Sequence, residues 1–555
     1  MNGTPLALPR GVQASLQCAT LLGARAVLVE VQVDLALGLP GFFLVGLPDH
    51  ACVDARVRCG TAIRNSGFAL PQKRITVNLA PADLRKEGAA FDLPIALGVL
   101  SASGLIPPPQ AVLAIGELSL GGEVLPVRGV LPIAVAARAA GIGKLIVPEA
   151  NAREGALVEG LRVFGARTLA HAAQLLSGDS TDAPALPAEP AQADATPLDL
   201  SEVRGQETCK RALEIAAAGA HNALFVGPPG SGKTMLARRL PSILPPLTFE
   251  EAVEATAIWS VAGRLRPGQG LLGERPFRAP HHTISVAGLI GGGSPPRPGE
   301  ISLAHCGVLL MDELPEFGRG ALEALRQPLE DGEVAIVRAR GAAQLPSRFM
   351  LLGAMNPCPC GYDGGGSRPC KCSAAEKEIY RRRVSGPILD RFDLHVEARA
   401  VNARDLIGAG SGESSRVVRA RVERARERQR LRFLGLPGVH ANAQLKGRMF
   451  RELCAANAEA RATLADAMEL HKLSARAHDR ILKVARTIAD LEGCDEVTSP
   501  HIHEAIQHRC LDRPVTGREP PALPVQLARA AAITLAAAKK AAKDSGISPA
   551  AKEKT

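Results

Sequence analysis

Gly227, Pro228, Pro229, Gly230, Ser231, Gly232, Lys233 and Thr234 carry the spacing G-x-x-x-x-G-K-T. Glycines so placed let backbone N–H groups converge on phosphate oxygens, and a helix beginning at the lysine adds its positive end. Lys233 would reach the β- and γ-phosphates of a nucleotide, and Thr234 would ligate Mg2+. The ligand expected from this motif is ATP or GTP. Downstream, the apolar run Val308–Met311 ends in Asp312-Glu313. Ligands of open α/β sheets bind at that edge of a strand. Asp312 would hold Mg2+ through water, and Glu313 would polarise the attacking water. Two acids after an apolar run also suit a helix start, a reading that the complete phosphate loop outweighs. The run FMLLGAMNP ends in Asn356, whose side-chain amide would orient the same water. GPILDRFDLHV offers Arg391 between two aspartates, either as a group lent to a neighbour's γ-phosphate or as half of a local Arg–Asp pair. Arg476 stands near the start of LSARAHDRILKVARTIADLEG, where it could touch the nucleotide from a lid. Taken alone, a solvated helix face is the better account of it.

A second constellation is Cys358, Cys360, Cys370 and Cys372, two C-x-C pairs across a glycine-rich loop. Four thiolates this close suit tetrahedral Zn2+. C-x-C is tighter than the usual C-x₂₋₄-C, and reversible disulfides or free thiols stand as alternatives. With no open coordination position required, such a metal would be structural and would fix the loop that follows Asn356.

Strands and helices must hold these groups in place. Ala223–Val226 reads as the buried strand feeding the phosphate loop, with a helix after it. Strands and helices alternate over 198–400, the pattern of an α/β core. Ahead of it, 1–175 reads as an α+β domain. Its strands are VLVEVQVDLAL, LPGFFLVGLP, RITVNLAP and KLIVPE; its helices are FDLPIALGVLSASG, ended by Gly104, and PIAVAARAAG; a hairpin turns at Gly121-Gly122. Residues 176–197, rich in Ala, Pro, Asp and Ser, read as a flexible linker. From 401 to 513 the pattern is helical. The Ala- and Lys-rich tail, 514–555, reads as a frayed helix with disorder.

Bulk properties bound the partners. The 555 residues carry a net charge of +10, compatible with a polyanion and weak as a sign of one. Aromatics are only 3%, which disfavours base stacking and leaves phosphates as the handle on any nucleic acid. Neither a secretory signal nor a membrane-length apolar run is present, and twelve scattered or clustered cysteines do not form a disulfide framework, so a cytoplasmic location is expected.

The motif order resembles that of AAA+ ATPases. Three longer stretches, GQETCKRALEIAAAGAHNALFVGPPGSGKTMLARR, FRAPHHTISVAGLIGGGSPPRPGEISLAHCGVLLMDELPEF and SARAHDRILKVARTIADL, resemble the magnesium-chelatase-like ATPases of the ComM/YifB family over about residues 5–512. That resemblance implies a multidomain α/β fold: a Lon-protease-like α+β N-terminal domain, an AAA+ P-loop α/β domain and a helical C-terminal lid. It implies a homo-hexameric ring that uses ATP and Mg2+ to migrate branched or single-stranded DNA in natural transformation and recombination, with no membrane and no small-molecule substrate beyond ATP. It further implies that Arg391 acts in trans and that Arg476 is the lid sensor. Residues 275–302 resemble an insertion of this clade, and DGEVAIVRARGAAQLPSRF a second one, a hairpin whose Arg338 and Arg340 would grip phosphates or merely stand exposed.

KEGAAFDLP and PVRGVLPIA resemble the nucleophile and base segments of Lon, yet Ala90 stands where its Ser would be and Pro132 where its Lys would be. Peptide hydrolysis is therefore not expected, and the domain reads as a scaffold. Helix 416–433 holds eight arginines and two glutamates spread around its circumference, open to DNA, to an acidic neighbour or to solvent alone. Two other functions share the core: a magnesium-chelatase subunit working on a porphyrin, and a protein remodeller.

Overall fold

The computed structural model describes residues 14–86, 88–188, 198–266, 269–293, 296–338, 341–364, 368–400, 412–436 and 438–512. The chain divides into two compact units, the first built mainly from 1–210, 224–392 and 398–419, the second from 211–223, 393–397 and 420 onward. Among the described residues, no helix is long and apolar enough to cross a membrane.

The first unit opens with a seven-stranded sheet in the order Gly41–Val45, Arg74–Ala80, Arg25–Ala36, Ala14–Leu22, Val112–Ala114, Lys144–Pro148, Arg162–Ala166. Val29, Val31, Val33 and Leu35 alternate into its core with the period of a half-buried strand. Against it lies the helix Asp92–Ala102, buried at every position from Asp92 to Ser101, which is why its sequence is apolar all round. Asp92 enters that core as an ion pair, its oxygens accepting from Arg58 Nε at 2.6 Å and Nη2 at 2.9 Å. Ala90 lies at the helix entry with its carbonyl accepting from Gly116 N–H, and Pro132 is buried in the helix Val130–Ala139.

Four expectations for this domain change. Ala14–Leu22 is a strand although Cys and Ala stand in for its larger apolar residues. Arg162–Ala166 and the helix Leu169–Ser177 likewise form without having been anticipated. The 112–129 segment is split: Glu117–Leu118 and Val124–Leu125 pair as the hairpin about Gly121-Gly122, while Val112–Ala114 joins the parallel part of the main sheet. Finally, the first part of the expected linker is tied down, since Ala185 N–H donates to Val163 O at 2.7 Å and Ala188 N–H to Arg153 O at 3.2 Å.

The second half of this unit sets four strands side by side: Phe277–Arg278, Val308–Met311, Met350–Met355 and Ala223–Val226. The first three run parallel in register Phe277↔Val308 and Val308↔Met350. All of Val308–Met311 and Met350–Met355 is buried, the signature of central parallel strands. Phe277–Arg278 thus belongs to the core sheet, and the insertion expected at 275–302 reduces to the helix Val286–Ile290, a small hairpin and the helix Glu300–Leu303. The second expected hairpin forms, Glu333–Arg338 pairing antiparallel with Gly341–Pro346; Arg340 and the Arg338 side chain lie outside the described residues. The helix Phe249–Val261, opened by a Thr248/Glu251 capping box, docks on the N-terminal sheet domain through Ala257 against Leu131 and Leu157.

The second unit is helical. Expected from 401 on, it also takes in two short stretches from within 198–400. Its centre is polar: Asp490, buried on the helix Ala475–Glu492, meets Arg432, Arg486 Nη2 at 3.0 Å and Asn442 Nδ2 at 2.8 Å. The arginine-rich helix Ser415–Arg432 does have a buried side, including Val418, Val422, Ala425 and Gln429. Several of its arginines have partners inside this unit: Arg421 meets Glu214, Arg428 meets Asp495, and Arg426 Nη2 donates to Ala217 O at 3.0 Å. The tail from 513 lies outside the described residues.

Candidate nucleotide site

The phosphate loop leaves the sheet at Gly227, where backbone room is the constraint: a Cβ there would lie 2.0 Å from Ala398 O. Gly230 and Gly232 sit at φ 77° and 86°, left-handed conformations that glycine adopts without strain. The helix Lys233–Ala237 follows. Lys233 Nζ donates to Gly227 O at 2.7 Å, to Pro228 O at 2.9 Å and to Asn356 Oδ1 at 3.3 Å, so it caps the concavity of its own loop. Burial pushes its pKa below the usual lysine value, with Asp312 and Glu313 opposing the shift. Ser231 Oγ is buried and has no hydrogen-bond partner. Gln206, at φ 59°, braces the loop from outside by donating to Ser231 O at 2.8 Å.

Across the sheet edge, Thr234 Oγ1 donates to Asp312 Oδ2 at 2.8 Å, so the two groups expected to share Mg2+ already touch. Glu313 follows at φ 55°, its N–H donating to Asp312 Oδ1 at 3.0 Å, which turns its side chain out with 61% exposure. Its carboxylate lies 3.4 Å from His282 Nδ1, and the His282 ring stacks on His281 at 4.1 Å. Beside it is a cavity of about 290 Å3 lined by Glu313, Glu316, Asn356, Pro359, Tyr380 and Arg383. Arg383 Nη1 donates to both oxygens of Glu316, at 2.9 and 3.0 Å. Burial pushes the Tyr380 hydroxyl up to about 12.

Thus Lys233, Thr234, Asp312, Glu313 and Asn356, read from separate stretches, converge on one sheet edge. Arg391 is buried, at 8% exposure, and pairs with Glu330 of the helix Arg326–Asp331, with Nη1 also donating to Pro387 O at 3.3 Å. Of the two flanking aspartates, Asp393 is engaged by Arg480 at 2.5 Å and His221 at 3.3 Å within the helical unit. Burial works against the Asp393 carboxylate, but the Arg480 guanidinium and the hydrogen bond with His221 hold it well below the usual range. Arg476 is exposed in the first turn of the helix Ala475–Glu492, in the second unit. Sequence reading missed Gln206, His282, Tyr380, Arg383 and Glu330. Only the GQE and PHH tripeptides gave a signal, and neither has a motif's spacing.

The four cysteines gather on one side of this site, with their Sγ atoms all within 4.8 Å of one another. Cys358–Cys360 is 3.4 Å, while Cys358–Cys370 and Cys360–Cys370 are each 3.7 Å. A tetrahedron with Zn–S bonds of about 2.3 Å has edges of about 3.8 Å, so the donor set fits zinc. Backbone hydrogen bonds from Tyr362 and Lys371 lower the Cys360 thiol to about 6, whereas Cys370 and Cys372, against a backbone hydrogen bond, are raised by burial and the neighbouring thiols, Cys372 to about 12.

A sheet with a phosphate loop at the end of one strand, Asn356 at the end of its neighbour and an acidic pair at the end of the strand beyond has the build of a AAA+ type ATPase domain. Comparison with known proteins narrows this. Residues 199–406 match the family model described as magnesium chelatase, subunit ChlI, 31–151 that of subunit ChlI of Mg-chelatase, and 412–509 that of its C-terminal part. The chain is 44% identical to "Uncharacterized protein YifB" of Salmonella typhimurium over 496 residues, 89% of this chain and 96% of that protein. It is also 44% identical to "Competence protein ComM" of Haemophilus influenzae over 501 residues, with the same coverage. A shorter likeness, 47% over 68 residues, links it to an archaeal Lon protease of Pyrococcus abyssi, covering 12% of this chain and 7% of that one. The chain belongs to the magnesium-chelatase-like ATPase family that includes YifB and ComM.

Proposed function

We propose that this protein is a homo-hexameric ATP-driven motor that moves along branched or single-stranded DNA during uptake and recombination. The observation that carries the ATPase part is the meeting of Thr234 with Asp312 and of Lys233 with Asn356 at one sheet edge. Triphosphate binding would exchange the Lys233 bonds to its own loop for bonds to phosphate, and the loop N–H groups together with Ser231 would take the remaining oxygens. Thr234 and Asp312 would hold Mg2+, which offsets charge between the phosphates. Glu313 would accept the proton of the attacking water at its carboxylate, with Asn356 orienting that water. Arg391 would serve the neighbouring subunit's nucleotide once Glu330 releases it, and Arg476 would sense it from the lid. The Cys358, Cys360, Cys370 and Cys372 set would hold a structural Zn2+. The N-terminal domain, with Ala90 and Pro132 in place of a nucleophile and base, is a scaffold.

The name of the Haemophilus relative and the net charge of +10 support a DNA partner. The matched family models support a second reading, an ATPase subunit of a chelatase. One experiment separates them: ATP turnover and unwinding are measured with a synthetic four-way junction at low salt. Stimulation by the junction, with strand separation that needs ATP, is expected. Turnover indifferent to any DNA, with no binding even at low salt, would remove the motor reading.

A further inference from the structure

The cysteine loop is built into the nucleotide site from two directions. Its first pair begins two residues after Asn356, and Gly361, at φ 84°, lies so close to the phosphate loop that a Cβ there would be 2.6 Å from Pro229 Cδ and 3.7 Å from Asn356 Cγ. Pro359 lines the same cavity as Glu313. Its second pair leads directly into the helix Ala374–Arg382, fixed at Ser373 by a capping box with Glu376. That helix and the residue after it bring Tyr380 and Arg383 to the same cavity. Lys377, on its first turns, bonds Asp363 of the loop at 2.6 Å. Besides that bond and the ion pair of Arg381 with Asp363, the loop and the helix meet at the four sulfurs, whose separations suit a metal and leave thiolates without one in mutual repulsion.

We infer that a soft divalent cation, zinc first, bound by Cys358, Cys360, Cys370 and Cys372 is a positioning element of the ATPase site, setting hydrolysis by holding Pro229 and Asn356 on one side and Tyr380 and Arg383 on the other. This rests on the metal reading above and goes further than a merely structural loop. If the centre is mechanically continuous with the phosphate loop, nucleotide binding must be felt at the metal.

The test uses the full chain. Zinc is quantified in the wild type and in Gly361→Ala, which leaves every ligand in place while pushing a methyl at Pro229. The wild type is then loaded with Co2+, and its visible bands are followed while Mg2+ and a non-hydrolysable ATP analogue are added. About one zinc per chain is expected in both proteins. The cobalt bands should change on nucleotide binding. Gly361→Ala should keep its nucleotide Kd within about threefold while kcat falls by about tenfold or more, as small misplacements of catalytic groups do. Zinc absent from the wild type overturns the metal reading itself. Zinc present, with cobalt bands blind to nucleotide and Gly361→Ala turning over at the wild-type rate, leaves the metal site standing and overturns the coupling.

Discussion

Lys233 and Glu313 divide the work at the sheet edge, and their substitutions should divide the phenotype. Lys233 is the cation that faces inward on the phosphate loop, so Lys233→Ala should remove nucleotide binding, measured with a fluorescent ATP analogue. Glu313 points outward toward His282, so Glu313→Gln should bind ATP at near wild-type affinity while kcat falls by about 10²–10⁴-fold, the usual worth of a positioned base. Wild-type turnover in Glu313→Gln would mean that another group activates the water. The outward turn of Glu313 was not readable beforehand. It follows from φ 55° at that residue, and it is what brings His282 to the carboxylate.

Elements differ in how much of their fate is local. The apolar runs Ala223–Val226 and Val308–Met311 declared themselves because central parallel strands are buried on both faces. The helix Ser415–Arg432 was legible as a helix but its buried side was not, since its arginines obscure the spacing of Val418, Val422 and Ala425, and only packing showed that several of those arginines have acidic or carbonyl partners. The helix Ala475–Glu492 carries the sharpest case, with Asp490 fully buried among Arg432, Arg486 and Asn442. Asp490→Ala removes the carboxylate shared by the buried Arg486 and the part-buried Arg432. It should therefore destabilise the helical unit by about 3–5 kcal/mol, the cost of breaking a buried ion pair. Chemical denaturation followed by circular dichroism measures this, and a loss under about 1 kcal/mol would mean that water reaches the cluster.

For the molecule as a working assembly, the question is whether Arg391 leaves Glu330 to serve a neighbouring subunit. Mixing decides it. Arg391→Ala and Glu313→Gln are each expected to be inactive alone, yet in mixed rings some interfaces would join an intact Glu313 to an intact Arg391 from the next subunit. Turnover should then reappear in the mixture, rising toward equal proportions. A mixture as silent as its parents would confine Arg391 to its ion pair with Glu330.

Contiguous chemistry was legible from the residues alone. The phosphate loop, the acidic pair after its apolar strand, Asn356 and the cysteine quartet are each set by neighbours a few positions away, and local spacing suffices to find them. That Ala90 and Pro132 stand at the nucleophile and base positions of Lon was an expectation carried by the resemblance of two short segments. Only the tertiary structure decided who faces whom. Glu330 reached Arg391 from 61 residues upstream, Gly361 came to rest on Pro229, and His282 met Glu313. The reason is physical: the partner of a charge or the occupant of a glycine's open side is chosen by packing among distant segments, and no local periodicity encodes that choice.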